Sequence, residues 1–117
     1  MNSLESRRSH DAKESAEEQL EVQTMDVVRR VAGALASAEP DLFKLVVLSA
    51  LQFRPTEMRR NFADTSIPTD VAILFNLVGD IAPVLDAEQR HQLQSYLSTS
   101  FLEMTGSMWE TALEARS

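Results

Sequence analysis

Few residues in this chain have the type and spacing for chemistry. The two histidines are His10 and His91. His91 follows Glu88 by three positions, which puts both on one face of a helix. A structural zinc site wants four ligands at close spacing, and nothing nearby supplies the others. There is no cysteine, which excludes disulfides, thiol nucleophiles and thiolate metal sites. No serine stands at a suggestive spacing from a histidine. The three glycines, Gly33, Gly79 and Gly106, are too scattered to build a phosphate-cradling loop. Asp80, inside an apolar stretch, is the best candidate for a carboxylate with a shifted pKa. The competing expectation is that it points to solvent, opposite Val71, Leu74 and Val78. No catalytic, cofactor-binding or metal-ligating residue is assigned, and the chain is not expected to be an enzyme. An enzyme, if it were one, would be a small helical lyase or isomerase using arginine and glutamate side chains.

Binding chemistry is better represented. Arg54, Arg59 and Arg60 cluster after an apolar stretch and suit an acidic or phosphate-bearing partner, or pair internally with the acidic C-terminal part. A helix-turn-helix can be drawn from 56–62 followed by 69–82. Its connecting loop is about six residues where three or four are usual. Its second helix starts at Asp70 and has no Arg or Lys to read bases. A second binding signal lies near the C-terminus. Leu93, Leu97, Phe101, Met104 and Met108 recur at spacings of 4, 4, 3 and 4, one amphipathic stripe. Leu102, Trp109 and Leu113 form a second line on another face. Tryptophan is enriched at interface anchors and methionine adapts to varied partners. The expected exposed contact residues are therefore Arg54, Arg59, Arg60, Met108, Trp109 and Leu113.

The elements that position these residues are all helical. Residues 1–16 lack apolar periodicity and read as a flexible or solvated extension. The single helical domain spans 17–117. Its first helix covers about 17–38, with Met25, Val28, Ala32 and Leu35 on its main stripe and Leu20, Val27 and Val31 on a second line. Glu39 precedes Pro40, where the α conformation is disfavoured, and Pro40 suits the first turn of the next helix. That next helix, 41–53, has nine apolar residues in thirteen. Only Asp41, Lys44, Ser49 and Gln52 give it a narrow polar face, so it is expected to be the central helix, buried on several sides. A short helix over 56–62 would be anchored by Met58 and Phe62. Thr69 is the expected N-cap of a helix over 69–82, which Pro83 kinks or ends. Asp86 and Gln89 have the spacing of a capping box and open a last helix over 87–114, which Gly106 either breaks or uses for a close crossing. The expected core is Val28, Val31, Leu35, Leu42, Val46, Val47, Leu51, Phe62, Leu74, Phe75, Val78, Leu93, Leu97 and Phe101.

Charge and length bound the function. The 117 residues carry a net charge of −7, spread as −4 over residues 1–43, +3 over 44–60 and −6 over 61–117. This balance disfavours general nucleic-acid binding, where Lys and Arg supply most of the affinity. The polar start lacks the apolar core of a secretory signal. The longest apolar runs, 42–53 and 71–85, fall short of the roughly 20 residues of a membrane span. The expectation is a cytoplasmic, all-α bundle of four to five helices around a central apolar helix at 41–53. Its expected role is that of a non-enzymatic regulatory or adaptor module, binding another protein or itself as a homodimer, without cofactor or metal. Rival roles are an acidic chaperone for a segment of another protein and a DNA-linked regulator, the latter including an acidic imitator of DNA.

Overall fold

The computed structural model describes residues 2–54, 58 and 66–114, with side chains from Glu18 onward. The expected short helix over 56–62 lies outside these residues except for Met58, which is buried. Arg59, Arg60 and Phe62 lie outside them as well.

Among the described residues every regular element is helical, and the chain is a small all-α bundle. Helix α1 runs Asn2–Leu35. Its 34 residues reach about 51 Å at 1.5 Å per residue, consistent with a molecule of 60 × 29 × 23 Å. The expected boundaries of 17 and 38 are both corrected. No glycine or proline occurs before Gly33, so the backbone stays helical without an apolar stripe to announce it. At the other end the helix closes at Leu35, and Ala36–Ala38 turn toward α2. The α1 face is also rotated from expectation. Leu20, Val27 and Val31, the secondary line, are buried, while Met25 on the expected main stripe is 53% exposed.

Helix α2 spans Pro40–Gln52, with Pro40 in its first turn as expected. Its buried side chains are Leu42, Val46 and Ser49. Leu51, expected in the core, is 78% exposed, and Leu48 is 56% exposed. The central position belongs instead to α3, Thr69–Ile81. Eight of its residues are buried: Val71, Ala72, Ile73, Leu74, Leu77, Val78, Gly79 and Ile81. A helix apolar on almost every side needs neighbours on several sides, and α3 has them in α1, α2 and the final helix. Full burial of each Val, Leu or Ile contributes roughly 1.5–3 kcal/mol, so α3 is the main source of core energy. Ser49, expected on the polar face of α2, is accommodated in the α2–α3 contact by donating its hydroxyl to the Leu77 carbonyl at 3.4 Å.

The N-terminus of α3 differs from expectation. Pro68 occupies the cap position, Thr69 is the first helical residue, and no side chain caps the helix. Asp70 accepts from the Val71 backbone N–H through Oδ1 at 2.9 Å. Pro83 ends α3 as expected: the chain passes into one turn of 3₁₀ helix, Ala82–Val84. Helix α4, Ala87–Ser100, opens with the full capping box between Asp86 and Gln89. The two reciprocal bonds measure 2.7 and 3.0 Å.

The expected single helix over 87–114 is two helices. The chain leaves the α conformation at Phe101 and resumes it in α5, Gly106–Glu114. Phe101 and Met104 are buried within the break. The apolar stripe thus continues through a segment that is not helical. Helix α4 packs on α1, whereas α5 packs on α3 and on the 3₁₀ turn. Of the expected core, Val31, Leu35, Leu42, Val46, Leu74, Val78, Leu93, Leu97 and Phe101 are buried, and Val28, Val47 and Phe75 are half-buried.

Candidate functional site

The described contact residues, Arg54, Met108, Trp109 and Leu113, do not share one exposed surface. Trp109 is 1% exposed and Leu113 is also buried, while Met108 is half-buried. Their expected exposure is corrected, and the cause is the break before α5. It reorients the second line, so that Trp109, Ala112 and Leu113 face inward while Leu102 turns outward. The Trp109 indole N–H has no hydrogen-bond partner among the described residues, a cost of about 1–3 kcal/mol for a buried donor. Arg54 is exposed, and its backbone carbonyl accepts from the Met58 N–H at 3.2 Å.

Residues singled out for catalysis or metal binding are dispersed. His91 and Glu88 are exposed, and among the described residues no three metal-type ligands converge. Asp80 is exposed, as the solvent-facing expectation had it, and accepts a 3.3 Å bond from Ser49 through Oδ2. Its local role is to tie α2 to α3.

A polar junction absent from the sequence-based expectations is centred on Arg30. Its guanidinium donates to Asp70 Oδ2 at 2.8 Å and to the Ser100 carbonyl. It also lies 4.0 Å from the centre of the Phe101 ring. One side chain thus joins α1, the first turn of α3 and the last carbonyl of α4, that of Ser100. Placing a cation on that carbonyl satisfies one acceptor of the helix end and opposes its dipole. Arg90 acts similarly for α3, donating from Nε and Nη2 to the Ala82 carbonyl at 3.2 and 3.1 Å. A polar cleft of about 360 Å³ beside Arg30 is lined by Gln23, Asp26, Val27, Thr69 and Asp70. Its central charges already pair with each other.

The most apolar of the described clefts lies between α1 and α2. It measures about 360 Å³ and is lined by Glu21, Thr24, Met25, Ala50, Leu51 and Phe53. The connection between Leu35 and Pro40 is short, so α2 folds back along α1 and its last turn meets the middle of α1. Thr24 directs its hydroxyl to the Leu20 carbonyl at 2.7 Å, so that donor is used within α1. Glu21 supplies the one carboxylate. Val22 on α1 and Leu48 on α2 are exposed as well. Leu51 and Met25 went unnoticed as surface residues because both fall on stripes that periodicity assigns to a core.

Comparison of the chain with protein-family models, curated proteins and solved structures finds no significant match.

Proposed function

We propose that this chain is a non-enzymatic protein-interaction module, a small regulatory or adaptor protein whose docking surface is the α1–α2 cleft. The observation that carries this role is the exposure of Leu51, at 78%, beside Met25 at the mouth of an apolar cleft. Leaving a large aliphatic side chain in water gives no folding energy, whereas burying it against a partner contributes to binding. Clustered exposed apolar residues rimmed by charge are a general mark of such surfaces. Arg54, one residue beyond Phe53, belongs to the rim.

A second copy of the chain is the alternative occupant, because Leu48 and Leu51 lie one turn apart on α2 and can meet their own counterparts across a two-fold axis. A cytoplasmic site of action is part of the same proposal. No helix among the described residues is long and apolar enough to cross a membrane.

Photo-crosslinking tests the docking role. A benzophenone amino acid is placed at position 51, and in a separate protein at position 102, where Leu102 is equally exposed but does not line the cleft. Discrete adducts from position 51 alone are expected. Equal labelling from both positions would remove the assignment.

A further inference from the structure

We propose, resting on the docking role above, that the occupant of the α1–α2 cleft is an amphipathic helix carrying lysine or arginine beside its apolar anchors. The shape of the cleft selects a helix. Both walls are α-helices whose backbone groups are bonded within their own elements, so no strand edge is offered and contact must come through side chains. A groove between helices suits the apolar face of a third helix, with anchors three or four residues apart. Met25, unbranched and flexible, can adjust to such an anchor.

The charges select a basic partner. Glu21 lines the cleft, and Glu18, one turn earlier on α1, lines a separate recess with Gln19, Val22 and Gln23. The nearby Asp26 lies 3.5 Å from Arg29, so that pair offsets itself. The last turn of α2 ends at the cleft with no basic residue within it, and Arg54 stands two residues past Gln52 at the negative end of its dipole. Among the described residues Arg54 is the opposing cation on the rim, and Glu18 and Glu21 outnumber it. The chain as a whole carries −7, which draws a cationic partner toward it. A partner helix therefore places an apolar side chain between Met25 and Leu51 and a cation against Glu18 and Glu21.

Fluorescence anisotropy of labelled synthetic peptides tests this. The probes are a leucine/lysine amphipathic helix of about five turns, its leucine/glutamate counterpart, and a leucine/lysine peptide of scrambled order. The basic amphipathic peptide is expected to bind at least about tenfold tighter than the other two, with affinity falling as salt rises. Exchanging Glu18→Lys and Glu21→Lys together should weaken it about tenfold. Leu51→Asp should abolish binding, and Leu102→Asp should leave it unchanged. Circular dichroism confirms that each variant is folded, and Leu51→Gln replaces Leu51→Asp if the latter loses helicity. Equal binding of basic and acidic amphipathic peptides, still lost in Leu51→Asp, would overturn the charge assignment while the docking role stands. Equal binding of the scrambled peptide would overturn the helical partner. Failure of every peptide, or indifference to Leu51→Asp, would overturn both proposals. A dimeric mass by light scattering that becomes monomeric in Leu51→Asp would give the cleft to a second copy and overturn the basic partner.

Discussion

Arg30 Nη1 lies 2.8 Å from Asp70 Oδ2, joining residues forty positions apart in sequence. The same guanidinium reaches the end of α4 through the Ser100 carbonyl and covers the Phe101 ring. Both members of the ion pair are more than a third exposed, so water screens their attraction and the pair alone contributes at most about 1 kcal/mol. The larger share of the junction comes from capping a helix end and from stacking.

Arg30→Ala should therefore cost about 2 kcal/mol in urea unfolding, from the loss of a charged hydrogen bond to a carbonyl together with the stacking contact. Asp70→Asn should cost less, and the coupling between the two substitutions should be about 0.5–1 kcal/mol. A double-mutant cycle followed by circular dichroism measures both. A coupling near zero would show that the pair is incidental.

Trp109 gives a second prediction, since it is the only tryptophan. Its native emission should be blue-shifted and resistant to acrylamide. Trp109→Ala should cost about 3–5 kcal/mol by opening a cavity. Trp109→Phe should cost clearly less, because it keeps most of the ring while removing a buried donor without a partner, offsetting about 1–3 kcal/mol. Chemical unfolding followed by circular dichroism orders the three proteins. Phenylalanine as costly as alanine would contradict the burial described for the indole N–H.

The outward part of α2 is tested by Leu51→Asp. At this exposed site in the last turn of α2 the substitution should cost only about 1 kcal/mol, from lower helix propensity and a carboxylate at the negative end of the helix. A leucine in the core would lose about 2–5 kcal/mol even on truncation to alanine. A large drop in melting temperature for Leu51→Asp would place Leu51 inside the bundle and close the cleft as a docking surface.

Glycine positions supply a fourth test. A Cβ at Gly79 would meet the Ala112 carbonyl oxygen at 3.7 Å, an ordinary contact, and one at Gly33 meets nothing within 4 Å. Both lie in helices, so Gly79→Ala and Gly33→Ala should each raise stability by up to about 1 kcal/mol. Thermal unfolding of the two variants checks this. A lower melting temperature for Gly79→Ala would show that the α3–α5 crossing has no room for a methyl group.

What could be read from sequence was local. The Asp86–Gln89 capping box, Pro40 in a first turn and the stop at Pro83 each depend on a few neighbouring residues, and all stand as expected. The all-helical class followed from periodicity. The break between α4 and α5 was not legible, because Phe101 and Met104 remain buried and keep the apolar rhythm through a segment outside the helices. The orientation of α2 was hidden for a related reason. With nine apolar residues in thirteen, its periodicity leaves the buried side ambiguous, and Ser49 faces α3, where its one hydroxyl lies within reach of the Leu77 carbonyl and of Asp80. Arg30 escaped notice because its partners lie forty and seventy positions away. The candidate site inherited these errors: Trp109 looked like surplus apolar surface, whereas Leu51 and Met25 are the exposed pair.

The central claim is that the α1–α2 cleft docks a protein helix, and methyl-resolved NMR tests it most directly. The chain has five methionines. Met25 is exposed, Met58 and Met104 are buried and Met108 is half-buried. With ¹³C-methyl methionine incorporated and the basic amphipathic peptide titrated in, the Met25 methyl resonance should shift most, saturably, and the shift should vanish in Leu51→Asp. Larger shifts at Met104 or Met108, or no saturable change at Met25, would contradict the account.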